Sequence, residues 1–217
     1  MVTVLEAPVE VMTTTTSAAI KSAVSRQQID GQPYLFTVAQ FEQMVANGIL
    51  TKSDKVELLE GYVIRKMTVN APHRVVVHRL LRWLQQAVGE SRYCYAQSPV
   101  DLQTSQPEPD LAICKGPESD YLDKHPQSNE LLLIIEVSAS SLRLDRNQMQ
   151  RIYAQAGIPS YWIVNSPDRV IEIYTDPDPT ASEPIYRMMR TIRESEMVAL
   201  VLDGTEVGQI LVKDLLP

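Results

Sequence analysis

The sequence predicts a mixed α/β domain, with a central mixed sheet flanked by helices and an antiparallel C-terminal extension. Three observations carry this expectation. Helical and strand patterns follow one another as helix, hairpin, helix, three strands, helix and strand, with further strands at the end. The run Leu131-Leu132-Leu133-Ile134-Ile135-Glu136-Val137 is apolar except for one residue, as a strand buried on both faces requires. Finally, 217 residues with 44% hydrophobic and 22% charged side chains are enough for one globular core.

Taken in order, residues 1–32 lack periodicity and carry the polar tract Thr13-Thr14-Thr15-Thr16, so they are expected to be a flexible arm before a domain of residues 33–217. Thr37 with Gln40 fits a capping box opening a helix that carries Phe41, Met44 and Val45 and stops at Asn47-Gly48. Residues 56–64 read as a hairpin turning at Glu60-Gly61. Pro72 sits near the start of a longer helix, where its missing N–H costs nothing. Val77, Leu80, Leu81, Leu84 and Val88 share one face of it, and Gly89 ends it. Strands are expected at 93–96, from Asp110 to Cys114, and at 131–137. Asp145 is expected to cap the next helix, whose apolar stripe is Met149, Ile152, Tyr153 and Ala156. Strands at 161–164 and 170–174 flank a turn at 165–168. The proline-rich stretch 176–184 reads as a loop, and 186–192 and 198–202 read as strands before a short terminal segment.

Composition excludes several classes. Twenty basic against 27 acidic side chains give a net charge of −7, which does not advertise nucleic-acid binding, although local charge decides that. No apolar run approaches the roughly 20 residues of a membrane span, and no basic segment followed by an apolar one opens the chain, so a cytoplasmic protein is expected. Cys94 and Cys114 are too few for a disulfide framework, which fits a reducing compartment.

Glu136 is the most informative residue. A carboxylate at the end of a buried strand costs several kcal/mol unless it is paired. A metal ion would pair with it, and so would Arg143 or Arg146. Asp110 follows Pro107-Glu108-Pro109, which hold the approach extended, and it shares a strand face with small Ala112 and with Cys114. The 26 residues between the two acids are compatible with neighbouring strands. Two carboxylates plus waters suit Mg²⁺ or Mn²⁺, hard ions that favour oxygen. His73, opening the long helix, is placed to meet a phosphate, a metal's water or Glu136. Zinc is not expected, because the cysteines and histidines lack paired-ligand spacing. Between residues 65 and 92 stand Arg65, Lys66, Arg74, Arg79, Arg82 and Arg92 against the single acid Glu90. Arg187, Arg190 and Arg193 form a second basic cluster. Such a face either tracks a phosphate backbone or is simply solvated.

The order of these segments carries a resemblance. Pro109-Asp110-Leu111-Ala112, Leu133-Ile134-Ile135-Glu136-Val137-Ser138, Leu144-Asp145-Arg146, Tyr153-Ala154 and residues 156–164 together resemble the Uma-type restriction endonucleases. These are numerous in cyanobacteria and belong to the PD-(D/E)XK nuclease superfamily. Glu57-Leu58-Leu59-Glu60-Gly61, Pro72-His73, residues 204–208 and Asp214-Leu215-Leu216-Pro217 extend it, so that it covers about residues 35–217. The resemblance implies a restriction-endonuclease-like α-β-β-β-α-β core, with Asp110 and Glu136 as the metal-binding acids. Ser138 takes the third place of the Glu-x-Lys element, and relatives commonly carry a lysine on the following helix instead. That position here is Met149. Asn165, where relatives often have Asp, is a milder departure.

The expected function is a Mg²⁺- or Mn²⁺-dependent endonuclease hydrolysing DNA phosphodiester bonds. Asp110, Glu136 and His73 would be its catalytic residues, Asp110 and Glu136 its metal ligands, and Arg74, Arg79, Arg82 and Arg146 its nucleic-acid contacts. A homodimer would help it cut two strands. The competing expectation is a nuclease-like fold that no longer cuts and serves as a nucleic-acid-binding or oligomerisation module, for want of the helix lysine. A two-carboxylate glycosidase is disfavoured, since aromatics are only 6% of the chain and a sugar cleft needs them.

Overall fold

Six strands form the central sheet of this computed structural model, which describes residues 31–66 and 70–217. The expected N-terminal arm, with its threonine tract, lies outside the described residues except at its end. Strands β1 (Val56–Leu59) and β2 (Tyr62–Arg65) pair separately as a hairpin. The central sheet runs β3 (Arg92–Ala96), β4 (Leu111–Lys115), β5 (Leu131–Ser138), β6 (Ser160–Asn165), β7 (Val170–Asp178) and β8 (Ile185–Arg193), in that spatial order. Only β5 and β6 are parallel, which makes the sheet mixed as expected.

Helix α1 (Val38–Ala46) begins with the expected capping box. Thr37 accepts from the Gln40 amide at 3.2 Å, and the Gln40 side chain accepts from Thr37 N–H at 2.9 Å. Helix α2 (Ala71–Val88) is capped by Asn70, whose side chain accepts from the His73 amide at 3.0 Å. Its apolar face, Val76, Val77, Leu80, Leu84 and Val88, packs on one side of the sheet against Leu111, Ile113, Leu133, Ile135, Trp162 and Val164. The same layer holds a second hairpin, β9 (Met197–Leu202) with β10 (Thr205–Leu211), and the terminal helix α5 (Val212–Leu215).

The opposite face of the sheet carries Ala112, Cys114, Ile134, Tyr161, Ile163 and Tyr174. It is covered by Met149, Ile152, Tyr153 and Ala154. Strand alternation explains the division: in β4, and in β5 from Leu133 onward, odd positions face α2 and even positions face the other layer, the parity reversing at Leu131 and Leu132 across a register shift. Asp110 and Glu136 are even, so they belong with the second layer.

Three expectations need correction. Asp145 does not cap a helix. The turn α3 (Leu142–Leu144) has its N-cap four residues earlier, at Ser141, and Asp145 itself is buried. Residues Asp145–Met149 form a π-helical turn in which the Gln150 amide reaches the Asp145 carbonyl, and α4 (Gln150–Gln155) continues from it. The stretch from Asp176 is not all loop, because β7 runs on to Asp178 and pairs Pro177 with Tyr186. β6 has already ended opposite Thr175, so the N–H that proline lacks has no ladder to complete on that side. Finally, β10 was hidden in what reads as a short terminal segment. Asp203-Gly204 turns the chain back onto β9, and the register slips between Glu206 and Gly208.

Candidate active site

The two acids converge. β4 and β5 are antiparallel neighbours with Leu111 opposite Ile135, which puts Asp110 beside Glu136 at the mouth of the pair. The Asp110 N–H donates to Glu136 Oε2 at 3.3 Å, and the Val137 N–H donates to Asp110 Oδ2 at 2.9 Å. His73, in the first turn of α2, brings Nε2 to 2.8 Å from Asp110 Oδ2. Its bond therefore goes to Asp110 rather than to Glu136. Tyr153 donates its hydroxyl to Glu136 Oε1 at 2.7 Å. Both Glu136 oxygens and Asp110 Oδ2 are thus held by the protein.

Asp110, Glu136 and His73 line a solvent-open cavity of about 290 Å³. Its walls carry five carboxylates, Glu57, Glu108, Asp110, Glu136 and Asp145. They also carry Lys66, His73, Asn70, Gln97 and, from the helical side, Met149. The β1–β2 hairpin supplies Glu57 and leads directly into Lys66. The Gln106 amide donates to the Leu58 carbonyl at 2.7 Å, Gly61 N–H donates to Thr104 O at 3.0 Å, and the Glu108 amide donates to Glu57 Oε2 at 3.2 Å. The hairpin and the Pro-Asp segment therefore form one wall. Gly61, with φ +82°, has no substitute in the turn, because a Cβ there would lie 2.7 Å from Leu35 Cβ.

The electrostatics follow from this crowding. Burial pushes the Glu136 carboxyl well above its ordinary range. The charges of Asp110 and Asp145 push it further, and the Tyr153 hydrogen bond opposes them. Burial also raises Glu57, against the Glu108 amide and the Lys66 charge, and it raises Asp145, against hydrogen bonds from Ser138 and Ser141. Ser138, in the third place of the Glu-x-Lys element, is buried and donates to Asp145.

The basic residues divide. Arg74 and Arg82 are exposed on α2. Arg79 is bound to the C-terminal segment through the Asp214 and Leu216 carbonyls. Arg146 does not pair with Glu136. It clasps Glu172, with contacts of 3.2 and 3.0 Å from Nε and 2.5 Å from a terminal nitrogen. Buried Asn165 and Tyr174 donate to the same carboxylate at 3.1 and 2.9 Å. Glu57 and Lys66 were missed as cavity residues, and Tyr153 as the partner of Glu136. Alternation signalled Glu57, which shares a face with buried Leu59. Tyr153 read only as part of an apolar stripe.

The model of a family described as "Putative restriction endonuclease", Uma2, matches residues 38–206. The chain belongs to the Uma2 family. No curated protein matches it. Among solved structures it is similar to the crystal structure of a putative nuclease belonging to DUF820 from Anabaena variabilis. That match has a TM-score of 0.59 and 13% sequence identity, and covers 83% of this chain and 97% of that one. The likeness extends the Uma2 assignment to the fold, a nuclease-type mixed α/β architecture. Met149, at the position where the sequence resemblance implies a helix lysine, is 4% exposed and lines the cavity wall.

Among the described residues, no group of three or more His, Cys, Asp and Glu side chains is gathered to hold a metal ion by itself. The donor set that is present, two adjacent carboxylates in a cavity open to water, fits a hard divalent ion completing its shell with water. The upward push on Glu136 by Asp110 is the repulsion such an ion would relieve. Among the described residues, no helix is long and apolar enough to cross a membrane.

Proposed function

We propose that this Uma2 protein is a divalent-metal-dependent endonuclease that hydrolyses DNA phosphodiester bonds. The observation that carries the reading is the convergence of Asp110 and Glu136 on neighbouring strands, within hydrogen-bond reach of one another's backbone, in a solvent-open cavity. Asp110 and Glu136 would hold Mg²⁺ or Mn²⁺. When bound, such an ion supplies Lewis acidity toward the phosphate and a lowered pKa for water.

The chain's own residues do the rest. His73 fixes Asp110 through Oδ2. Tyr153 fixes Glu136 through Oε1. The backbone donors of Asp110 and Val137 hold the two carboxylates in register, so the site is assembled before the ion arrives. Arg74 and Arg82, exposed on the helix that His73 opens, would meet flanking phosphates. Arg79 and Arg146 are occupied by internal partners and serve structure. A two-fold pair of chains would cut both strands of a duplex.

Met149 favours a second reading, a metal-binding fold that holds nucleic acid without cutting it. One experiment separates the two. Wild type and the Asp110→Ala/Glu136→Ala double variant are incubated with plasmid and linear duplex in Mg²⁺ or Mn²⁺ at low salt, with an EDTA control. Cleavage by the wild type alone, abolished by EDTA, is the expected result. Ion binding by calorimetry without cleavage selects the second reading. Neither binding nor cleavage overturns both.

A further inference from the structure

The cavity has an imbalance of charge. Five carboxylates line it, and among the described lining residues Lys66 is the one lysine or arginine. A phosphodiester entering beside those acids meets net negative charge even after one divalent ion has been counted. Resting on the nuclease reading, we propose that Lys66 is the substrate-contacting cation of the site, its ammonium leaving Glu108 to bind the phosphate at the reacting position.

Three observations support this assignment. First, the backbone of Lys66 is fixed. It follows directly on β2, its N–H donates to the Lys55 carbonyl at 2.8 Å, and the hairpin beneath it is bonded to residues 104–108. Second, the ammonium is available. It is ion-paired with Glu108, but the two side chains are 24% and 32% exposed, so the pair sits at the cavity rim rather than in a core. A half-buried pair that opens on the cavity can exchange one anion for another, and a phosphate with two charged oxygens can replace Glu108 as the partner. Third, the opposite wall offers no cation. The nearest helical positions present Met149, Leu144 and Ser141 to the cavity. The hairpin wall can therefore supply from one side what the helix wall lacks on the other.

Glu108 then has a definite part. It neutralises Lys66 while the cavity is empty of substrate, and it competes with the phosphate. This separates an ammonium that binds substrate from one that merely ties the hairpin down. Lys66→Met and Glu108→Gln both abolish the ion pair, but only the first removes the cation.

The test uses the full chain loaded with Mn²⁺. Wild type, Lys66→Met, Lys66→Arg, Glu108→Gln and Lys66→Met/Met149→Lys are compared by thermal melting, Mn²⁺ calorimetry, inorganic phosphate binding and plasmid cleavage. Lys66→Met is expected to keep Mn²⁺ binding, lose phosphate binding and cleave about a hundredfold more slowly, the usual size of one lost charge contact. Lys66→Arg should keep phosphate binding, and Glu108→Gln should bind phosphate more tightly than wild type. Placing an ammonium on the helical wall in Lys66→Met/Met149→Lys should restore cutting. Phosphate binding and cleavage by Lys66→Met equal to wild type overturn the proposal and leave the nuclease reading standing. Equal losses in Lys66→Met and Glu108→Gln overturn it in favour of a purely structural ion pair. If the wild type does not cut, the phosphate titration still decides. Loss of phosphate in Lys66→Met alone keeps Lys66 as the anion contact of a non-cutting site, and no difference removes it.

Discussion

The backbone N–H of Asp110 donates to Glu136 Oε2, while the N–H of the residue following Glu136 donates to Asp110 Oδ2. The two acids are therefore held by each other's strands, and neither can move without disturbing the other. Register between β4 and β5 sets the spacing of the pair, and a one-residue slip of either strand would turn its own acid to the α2 face.

Glu136 makes the empty site unfavourable. Its carboxyl is pushed up, first by burial and then by Asp110, so its contribution to folding is fully present below the ordinary value of 4.5 and is lost as pH rises through its raised value. Glu136→Gln should be more stable than wild type at neutral pH by about 1 kcal/mol or more in the absence of metal. The gain should vanish at pH 4. The same variant should lose the rise in melting temperature that Mn²⁺ gives the wild type. Melting curves across pH, with and without Mn²⁺, check both statements.

Glu172 behaves oppositely. Burial raises its carboxyl, but hydrogen bonds from Arg146, Asn165 and Tyr174 outweigh burial and leave it below the ordinary 4.5. Its stabilisation is present above 4.5 and is lost as pH falls through the lowered value. Arg146→Ala should cost about 1–2 kcal/mol at pH 7, the lower end for a charged partner because Arg146 is 43% exposed. It should also flatten the acid limb of the stability profile. Metal binding at Asp110 and Glu136 should be unaffected. Urea unfolding at several pH values, together with Mn²⁺ calorimetry, reads both effects.

Both cysteines should be inert in the folded protein. Burial pushes the Cys94 thiol up to about 11, and burial with the neighbouring Cys94 charge pushes Cys114 up to about 12. Almost no thiolate exists at pH 8. A chromogenic disulfide reagent should modify neither within an hour under native conditions and both at once in denaturant. Fast native reaction would mean that the β3–β4 edge opens readily.

Gly61→Ala should weaken the wall of the cavity. The residue has φ +82°, and an added Cβ meets the backbone and side chain of Leu35 and the carbonyl of Phe36. A cost of about 1–3 kcal/mol is expected, or roughly 2–4 °C of melting temperature per kcal/mol for a chain of this size. Amide exchange should speed most in β1 and β2.

Much of this architecture was legible in residue order. Thr37 with Gln40 announced a helix start because a capping box is local chemistry. Leu131 to Val137 announced the central strand because only a doubly buried strand tolerates so apolar a run. Asp110 and Glu136 stood out because a carboxylate in apolar surroundings needs a partner. What escaped depends on distant chain. Pro177 looked like a breaker, and only the ending of β6 two residues earlier makes it tolerable in β7. Asp145 has the composition of a cap, yet it turns inward because Ser138, seven residues back on β5, donates to it. Tyr153 reads as apolar because its ring packs as any aromatic would; its hydroxyl meets Glu136 only once α4 covers the second face of the sheet. Lys66 stands in the sequence only as one of six basic residues between 65 and 92, and its place at the cavity comes from the hairpin being folded against residues 104–108.

The π-turn at Asp145–Met149 has a phase. An α-helix advances about 100° per residue, and one wide turn offsets the face before it from the face after it by about the arc of a single residue. Asp145 belongs to the leading face and reaches Ser138; Ile152 and Tyr153 belong to the trailing face and reach the sheet. Deleting one residue from this turn, with composition otherwise unchanged, would relax it to ordinary helix. Either Asp145 would then rotate out of the cavity or Tyr153 would rotate away from Glu136. The segment works as a clutch between two angular settings of one helix, and its length is as much a part of the site as any side chain.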